Sequence, residues 1–264
     1  MDWWWAYLAV GVFVGFFSGL LGIGGGSAMV PLLAFIFAAK GFPAQYVVHL
    51  ALGTCIAAIM FTAISSALSH HRHKAVDWRV LAQLGPGVVL GAVAGAALAR
   101  LLDARLLAIV FTALVYYAAT LMLIERRAQP KREPSGSAGM WAMGSVVGLF
   151  STLTATGGAA MVVAYLVRRN ISVHAAIGTA SAASLCLAFA GTIGYVLSGS
   201  TVPGLPSLSV GFVYLPALAW IVVASMLLAP VGAAVAHRTP GRRLRRVFAV
   251  VLYALATGML LRFF

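Results

Sequence analysis

Two short glycine-rich stretches carry the groups best suited to chemistry: Gly24, Gly25 and Gly26 with Ser27, and Thr156 with Gly157 and Gly158. Adjacent glycines turn a chain tightly and leave successive backbone N–H groups uncovered, a concavity suited to an anion. A helix starting just beyond, near Ser27 or Ala159, would aim its positive end at the same point. Ser18 and Ser151 lie a few residues upstream of each stretch and add hydroxyls. A second doubled feature is Gly53-Thr54 and Gly178-Thr179, each glycine four residues after a histidine, His49 and His174. Four-residue spacing puts histidine and glycine on one helix face. The threonines offer hydroxyls to an anion, or bond their own helix. The histidines read as packed or interfacial groups, or as proton-coupling groups.

The sequence also narrows the chemistry by what it lacks. All five acids, Asp2, Asp77, Asp103, Glu125 and Glu133, stand at the edges of long apolar runs. A cation pump or carboxylate proton relay places acids inside the membrane. No acid, metal cluster or nucleophile–base pair stands out within the runs, so no enzyme is expected. The His70-His71-Arg72-His73-Lys74 tract reads as a basic loop rather than a metal site, because cations flank the histidines. No cofactor is expected: no G-x-G-x-x-G fits, and the βαβ context for a dinucleotide is missing.

These groups must be held by membrane helices. The 264 residues are 62% hydrophobic and 9% charged, where a soluble domain carries about 25% charge. Residues 3–39, 41–71, 80–99, 106–124, 134–167 and 170–237 contain no Asp, Glu, Lys or Arg. About 20 apolar residues suffice to span a bilayer, so the chain reads as an all-α polytopic membrane protein. The net charge of +13 collects in short connections, as in cytoplasmic loops, and does not point to nucleic acid. Cys55 and Cys186 lie within apolar runs and read as free thiols. Trp3, Trp4 and Trp5 read as an interfacial anchor, with no removable signal peptide.

The chain repeats itself. GFFSGLLGIGGGSAMV (15–30) aligns with GLFSTLTATGGAAMVV (148–163), and VVHLALGT (47–54) with SVHAAIGT (172–179). The halves are 1–125 and 138–264, joined by a basic linker over 126–137. Each half has one long apolar stretch, 3–39 or 134–167, broken at its glycines. Three helix-length segments follow, near 45–69, 79–100 and 105–124, then 172–198, 210–236 and 243–263. If each long stretch is a re-entrant hairpin, the halves are inverted, and fourteen of the eighteen Lys and Arg fall on one side. If each crosses once, the split is ten to eight. The positive-inside rule favours the first arrangement, with the linker cytoplasmic and both termini outside. Inverted repeats with broken helices are a transporter architecture, with the substrate near the midplane. The expected partners are a small anion and membrane lipid, with a second copy of the chain left open.

At these residues the sequence resembles the TauE/SafE sulfite-exporter family of bacterial inner-membrane permeases. The matching stretches are GFFSGLLGIGGGSAMVPLL, HLALGTCIAAIMFTAISS, HKAVDWRVLAQLGPGVVLGAVAGAALARLL, AAIGTASAASL and LLAPVGAAVAHR. The resemblance implies a secondary transporter, often an exporter, of sulfite or an organosulfonate; a small-oxyanion channel is the alternative. The second copy departs from the first: Thr154-Ala155-Thr156 replaces the Gly-Ile-Gly, and Ala164 stands where Pro31 would repeat.

Overall fold

The computed structural model describes residues 3–21, 26–123, 137–236 and 241–263. Ten helices account for almost all of them: α1 Trp4–Leu21, α2 Gly26–Ala39, α3 Val47–Arg72, α4 Trp78–Leu101, α5 Ala104–Leu123, α6 Ser137–Thr154, α7 Ala159–Arg168, α8 Val173–Ser200, α9 Leu215–Ala236 and α10 Gly241–Phe263. Strands β1 (Ser209–Val210) and β2 (Val213–Tyr214) form one antiparallel hairpin. The helix starts follow local sequence. Asp77 accepts the N–H groups of Arg79 and Val80 at the head of α4, and Ser172 accepts that of Ala175 at the head of α8. Four helices, α3, α4, α5 and α8, are long and apolar enough to cross a membrane. The apolar parts of α1, α2, α7 and α9 are shorter.

The two long apolar stretches are each broken, into α1 with α2 and α6 with α7. Residues 22–25, between α1 and α2, lie outside the described residues, Gly24 and Gly25 among them, as do 126–136 of the linker. The second break, 155–158, holds Ala155, Gly157 and Gly158 at φ of +50°, +73° and +72°. One expected boundary is corrected. The segment near 210–236 begins its helix only at Leu215. Gly211 sits at φ +55° and the Phe212 N–H is held by the Tyr195 carbonyl, so 209–214 folds as a hairpin instead.

Helix pairing recurs when the halves are exchanged. The first helix of each half lies along the fourth-numbered helix of the other: α1 along α9, and α6 along α4. The third helices, α3 and α8, pack together, as do the fifth, α5 and α10. Small residues permit this closeness. A methyl on Gly87 or Gly91 would sit 2.2 or 2.1 Å from the Trp141 or Ser145 carbonyl oxygen, and one on Gly148 2.3 Å from that of Val88. The 87–95 glycine stripe is therefore a helix-packing seam. Across α5 and α10, Tyr116 meets Thr257 and Thr120 meets Tyr253, hydroxyl to hydroxyl. Cys55 and Cys186 are free thiols.

Candidate functional site

The head of α2 meets the second helix break. Gly26 opens α2, and a methyl placed on it would lie 1.9 Å from the carbonyl oxygen of Ala155 and 2.7 Å from Cδ1 of Ile59. Ile59 stands at the middle of α3, and the α3–α8 contact lines the same spot through Ile56 and Gly191. The heads of α2 and α7 therefore converge near the halfway depth of the longest apolar helices. Their first N–H groups have no partner within their own helices. Pro31 of α2 also withholds the N–H that would bond the Ser27 carbonyl.

The second break is braced by its neighbours. The Thr156 N–H donates to the Ser151 carbonyl at 3.3 Å. The Thr154 hydroxyl donates to Phe150 at 2.9 Å and lies 3.0 Å from that of Thr156. Ser184 of α8 lies 2.6 Å from the Gly157 carbonyl, and Tyr195 donates to the Thr152 carbonyl. The buried hydroxyls of Ser151 and Thr152, beside this break, have no hydrogen-bond partner among the described residues. The Ser151 oxygen lies 3.0 Å from where a methyl on Gly158 would stand. Gly158 is the residue that caps α7. Ser27 is buried at the head of α2, and Ser18 is half-buried in the last turn of α1. Thus Gly26, Ser27, Ser151, Thr156, Gly157 and Gly158 gather at one place. Sequence singled out most of these; Thr152 and Ser184 went unmarked, though one adjoins Ser151 and the other follows Thr179 by five residues.

The Gly-Thr steps each meet a backbone segment of the other half. The Thr54 hydroxyl accepts the Tyr214 N–H at 3.0 Å, and a methyl on Gly53 would lie 2.4 Å from the Phe212 carbonyl oxygen. The Thr179 hydroxyl accepts the Asp77 N–H at 2.9 Å, and a methyl on Gly178 would lie 2.3 Å from the Ala75 carbonyl oxygen. Each step clasps the segment just before the fourth-numbered helix of the other half. The glycine admits the backbone, and the threonine pairs its N–H. From Thr54 to the end of α3, next to Ala75, runs eighteen residues of helix, about 27 Å. The clasps therefore lie toward opposite ends of α3, with the meeting point at Ile59 between them.

The histidines are not equivalent. His49 is buried, and its Nε2 lies 2.9 Å from the Ala99 carbonyl and 3.1 Å from that of Leu102. Both partners only accept, so Nε2 carries the proton and caps the end of α4. Phe212 packs on its ring at 5.0 Å. His174 is exposed near the start of α8. Among the described residues no group of three His, Cys, Asp or Glu could hold a metal.

One further cluster is unmarked by sequence. Lys40 directly follows α2, and its ammonium donates to the Tyr214 hydroxyl at 2.8 Å. It also lies 5.8, 5.3 and 4.9 Å from the ring centres of Tyr7, Phe42 and Tyr214. The signal is weak in sequence because the four residues come from three segments far apart in the chain: α1, the 40–42 turn and β2.

The family profile described as Sulfite exporter TauE/SafE matches residues 7–259. A probable membrane transporter protein of Haemophilus influenzae is 32% identical, over 97% of either chain. The probable membrane transporter protein YdhB of Bacillus subtilis is 27% identical over 70% of this chain and 76% of its own. A probable membrane transporter protein of Methanocaldococcus jannaschii is 24% identical over 96% and 94%. No solved structure gives a significant match. Across nearly its whole length, then, this chain belongs to the TauE/SafE sulfite exporter family of membrane transporters.

Proposed function

We propose that the protein is a secondary transporter, working as an exporter, of a small sulfur-containing oxyanion such as sulfite or an organosulfonate. The observation that carries this reading is the meeting of Gly26 with the Ala155 carbonyl, beside the unpartnered Ser151 hydroxyl. Two helix heads and a free hydroxyl converge where α3 is deepest. Uncovered N–H groups and hydroxyls are donors without formal charge, which suits an anion that must be released again. The absence of acids from the spans fits the same substrate sign.

Transport would proceed by rocking one half against the other around this point. The helix pairing that recurs on exchange of halves supports an inverted repeat, as does the fourteen-to-four distribution of cations. In this reading the protein sits in the bacterial inner membrane, with the 126–137 linker cytoplasmic and both termini outside. The two Gly-Thr clasps then act as alternate seals, one toward each end of α3. An outward-open state parts one clasp while the other stays shut.

The test is counterflow in proteoliposomes loaded with sulfite or methanesulfonate. Saturable uptake of labelled substrate against preloaded substrate supports an alternating-access transporter. Uptake that neither saturates nor shows counterflow points to an anion channel. Uptake of carboxylates in preference to sulfur oxyanions overturns the substrate class.

A further inference from the structure

We infer that Lys40, with the hydroxyls of Tyr7 and Tyr214, forms a separate capture site for small oxyanions at one mouth of the transport path. The inference rests on the transporter reading but concerns a place remote from the helix breaks. Lys40 follows the far end of α2, fourteen residues of helix from Gly26, or about 21 Å.

Three features make the cluster a receptor rather than a packed salt bridge. First, the ammonium meets no carboxylate among the described residues; its partners are a phenol oxygen and three ring faces. The rings fix its position without cancelling its charge. An ammonium has three N–H donors, and one hydrogen bond is made among the described residues. Second, the Tyr7 hydroxyl is buried, and among the described residues it meets the Tyr214 side chain only outside ordinary hydrogen-bond geometry. Tyr7 is 2% exposed, so a donor here goes unused unless a ligand takes it. Third, the lysine side chain is only half-buried and sits in the connection that follows α2 rather than inside a helix.

The location gives the site its purpose. Tyr214 is the residue whose N–H Thr54 holds in the first clasp. Lys40 belongs to the first half and Tyr214 to the second, so their hydrogen bond spans the seal between the halves. An oxyanion that accepts the Lys40 and Tyr7 donors competes with the Tyr214 oxygen. On the charge count above this is the outer mouth, so in an exporter the cluster would receive the anion as it leaves the path and loosen the seal there. Oxyanions suit the geometry because several acceptor oxygens can meet donors from two sides.

The test compares wild type, Lys40→Gln, Lys40→Arg and Tyr7→Phe in sulfite counterflow, with labelled sulfite presented to the outer, Lys40-bearing face, at low and high ionic strength. If Lys40 captures substrate, Lys40→Gln raises KM about tenfold with Vmax within about twofold. It also flattens the dependence of KM on salt, because a steering charge has gone. Lys40→Arg restores most of the affinity, and Tyr7→Phe raises KM while keeping the ring. If Lys40→Gln does not fold, Tyr7→Phe carries the test by itself. A variant set with wild-type KM and only a lowered Vmax shows a latch without a ligand and overturns the inference alone. A wild-type protein that moves no sulfur oxyanion overturns the transporter reading, and this inference with it.

Discussion

Gly26 and Ala155, 129 positions apart in the chain, approach so closely that the glycine has no room for a single added carbon. A methyl there would stand 1.9 Å from the Ala155 carbonyl oxygen. Carbonyl oxygens of a backbone held at φ +50° cannot swing aside cheaply. Gly26→Ala should therefore separate the two helix heads. The expected cost is about 1–3 kcal/mol of stability, as for overpacking elsewhere, with transport falling more than tenfold. Thermal unfolding and proteoliposome flux on the same preparation check both parts. Wild-type flux in Gly26→Ala would show that the meeting of Gly26 with the second break is not the substrate site.

Ser151→Ala separates binding from folding. Its hydroxyl is buried without a partner, so its removal relieves a desolvated group and should leave stability unchanged or slightly raised. If the hydroxyl serves the anion, sulfite affinity falls about tenfold, the worth of one hydrogen bond to a charged group. Equal affinity in wild type and Ser151→Ala, measured by sulfite-dependent thermal stabilisation, would remove Ser151 from the site.

Much of this site is legible in sequence because it is local. Gly24 to Ser27 and Thr156 to Gly158 announce a chain break within a few residues, and the break needs no distant partner to be read. The 87–95 stripe is legible for the same reason, since spacing by four places small residues on one face. The Gly-Thr steps show the limit. Their repetition marks Thr54 and Thr179 as meaningful, but their partners, the N–H groups of Tyr214 and Asp77, belong to the other half. One lies in a two-residue strand and the other in the turn before α4, both too short to carry a periodic signature. A donor to an anion and an acceptor from a backbone look alike until the opposing chain is placed. Lys40 is hidden more deeply, because its cage draws on α1, the 40–42 turn and β2 at once.

The clasps predict a sided effect. Thr54→Val and Thr179→Val each keep the shape but leave a backbone N–H without its acceptor, at about 1–3 kcal/mol apiece. Because the clasps lie toward opposite ends of α3, their loss should open opposite ends of the path. Single cysteines placed beside Phe212 and beside Ala75 report this through labelling by an impermeant thiol reagent. Thr54→Val should speed labelling near Phe212 and not near Ala75; Thr179→Val should do the reverse. Equal labelling at both ends in either variant would mean that the clasps are static braces rather than alternating seals.

The two histidines make the last prediction. His49 offers its Nε2 proton to two carbonyls at the end of α4, Ala99 and Leu102, so its removal strands acceptors in an apolar setting. His49→Ala should cost about 2–4 kcal/mol from the lost packing and the stranded carbonyls together. His49→Gln keeps an N–H donor and should recover part of that loss. His174 is exposed, and His174→Gln should alter neither stability nor flux. A group fixed as donor to two carbonyls on one nitrogen can exchange a proton only through the other, Nδ1, which has no hydrogen bond of ordinary geometry. The pH profile of sulfite flux in His49→Gln therefore distinguishes a cap from a coupling group. An unchanged profile leaves His49 as the cap that holds α4 in place. A profile flattened in His49→Gln and intact in His174→Gln assigns proton coupling to the Nδ1 side of His49, on the face opposite the cap.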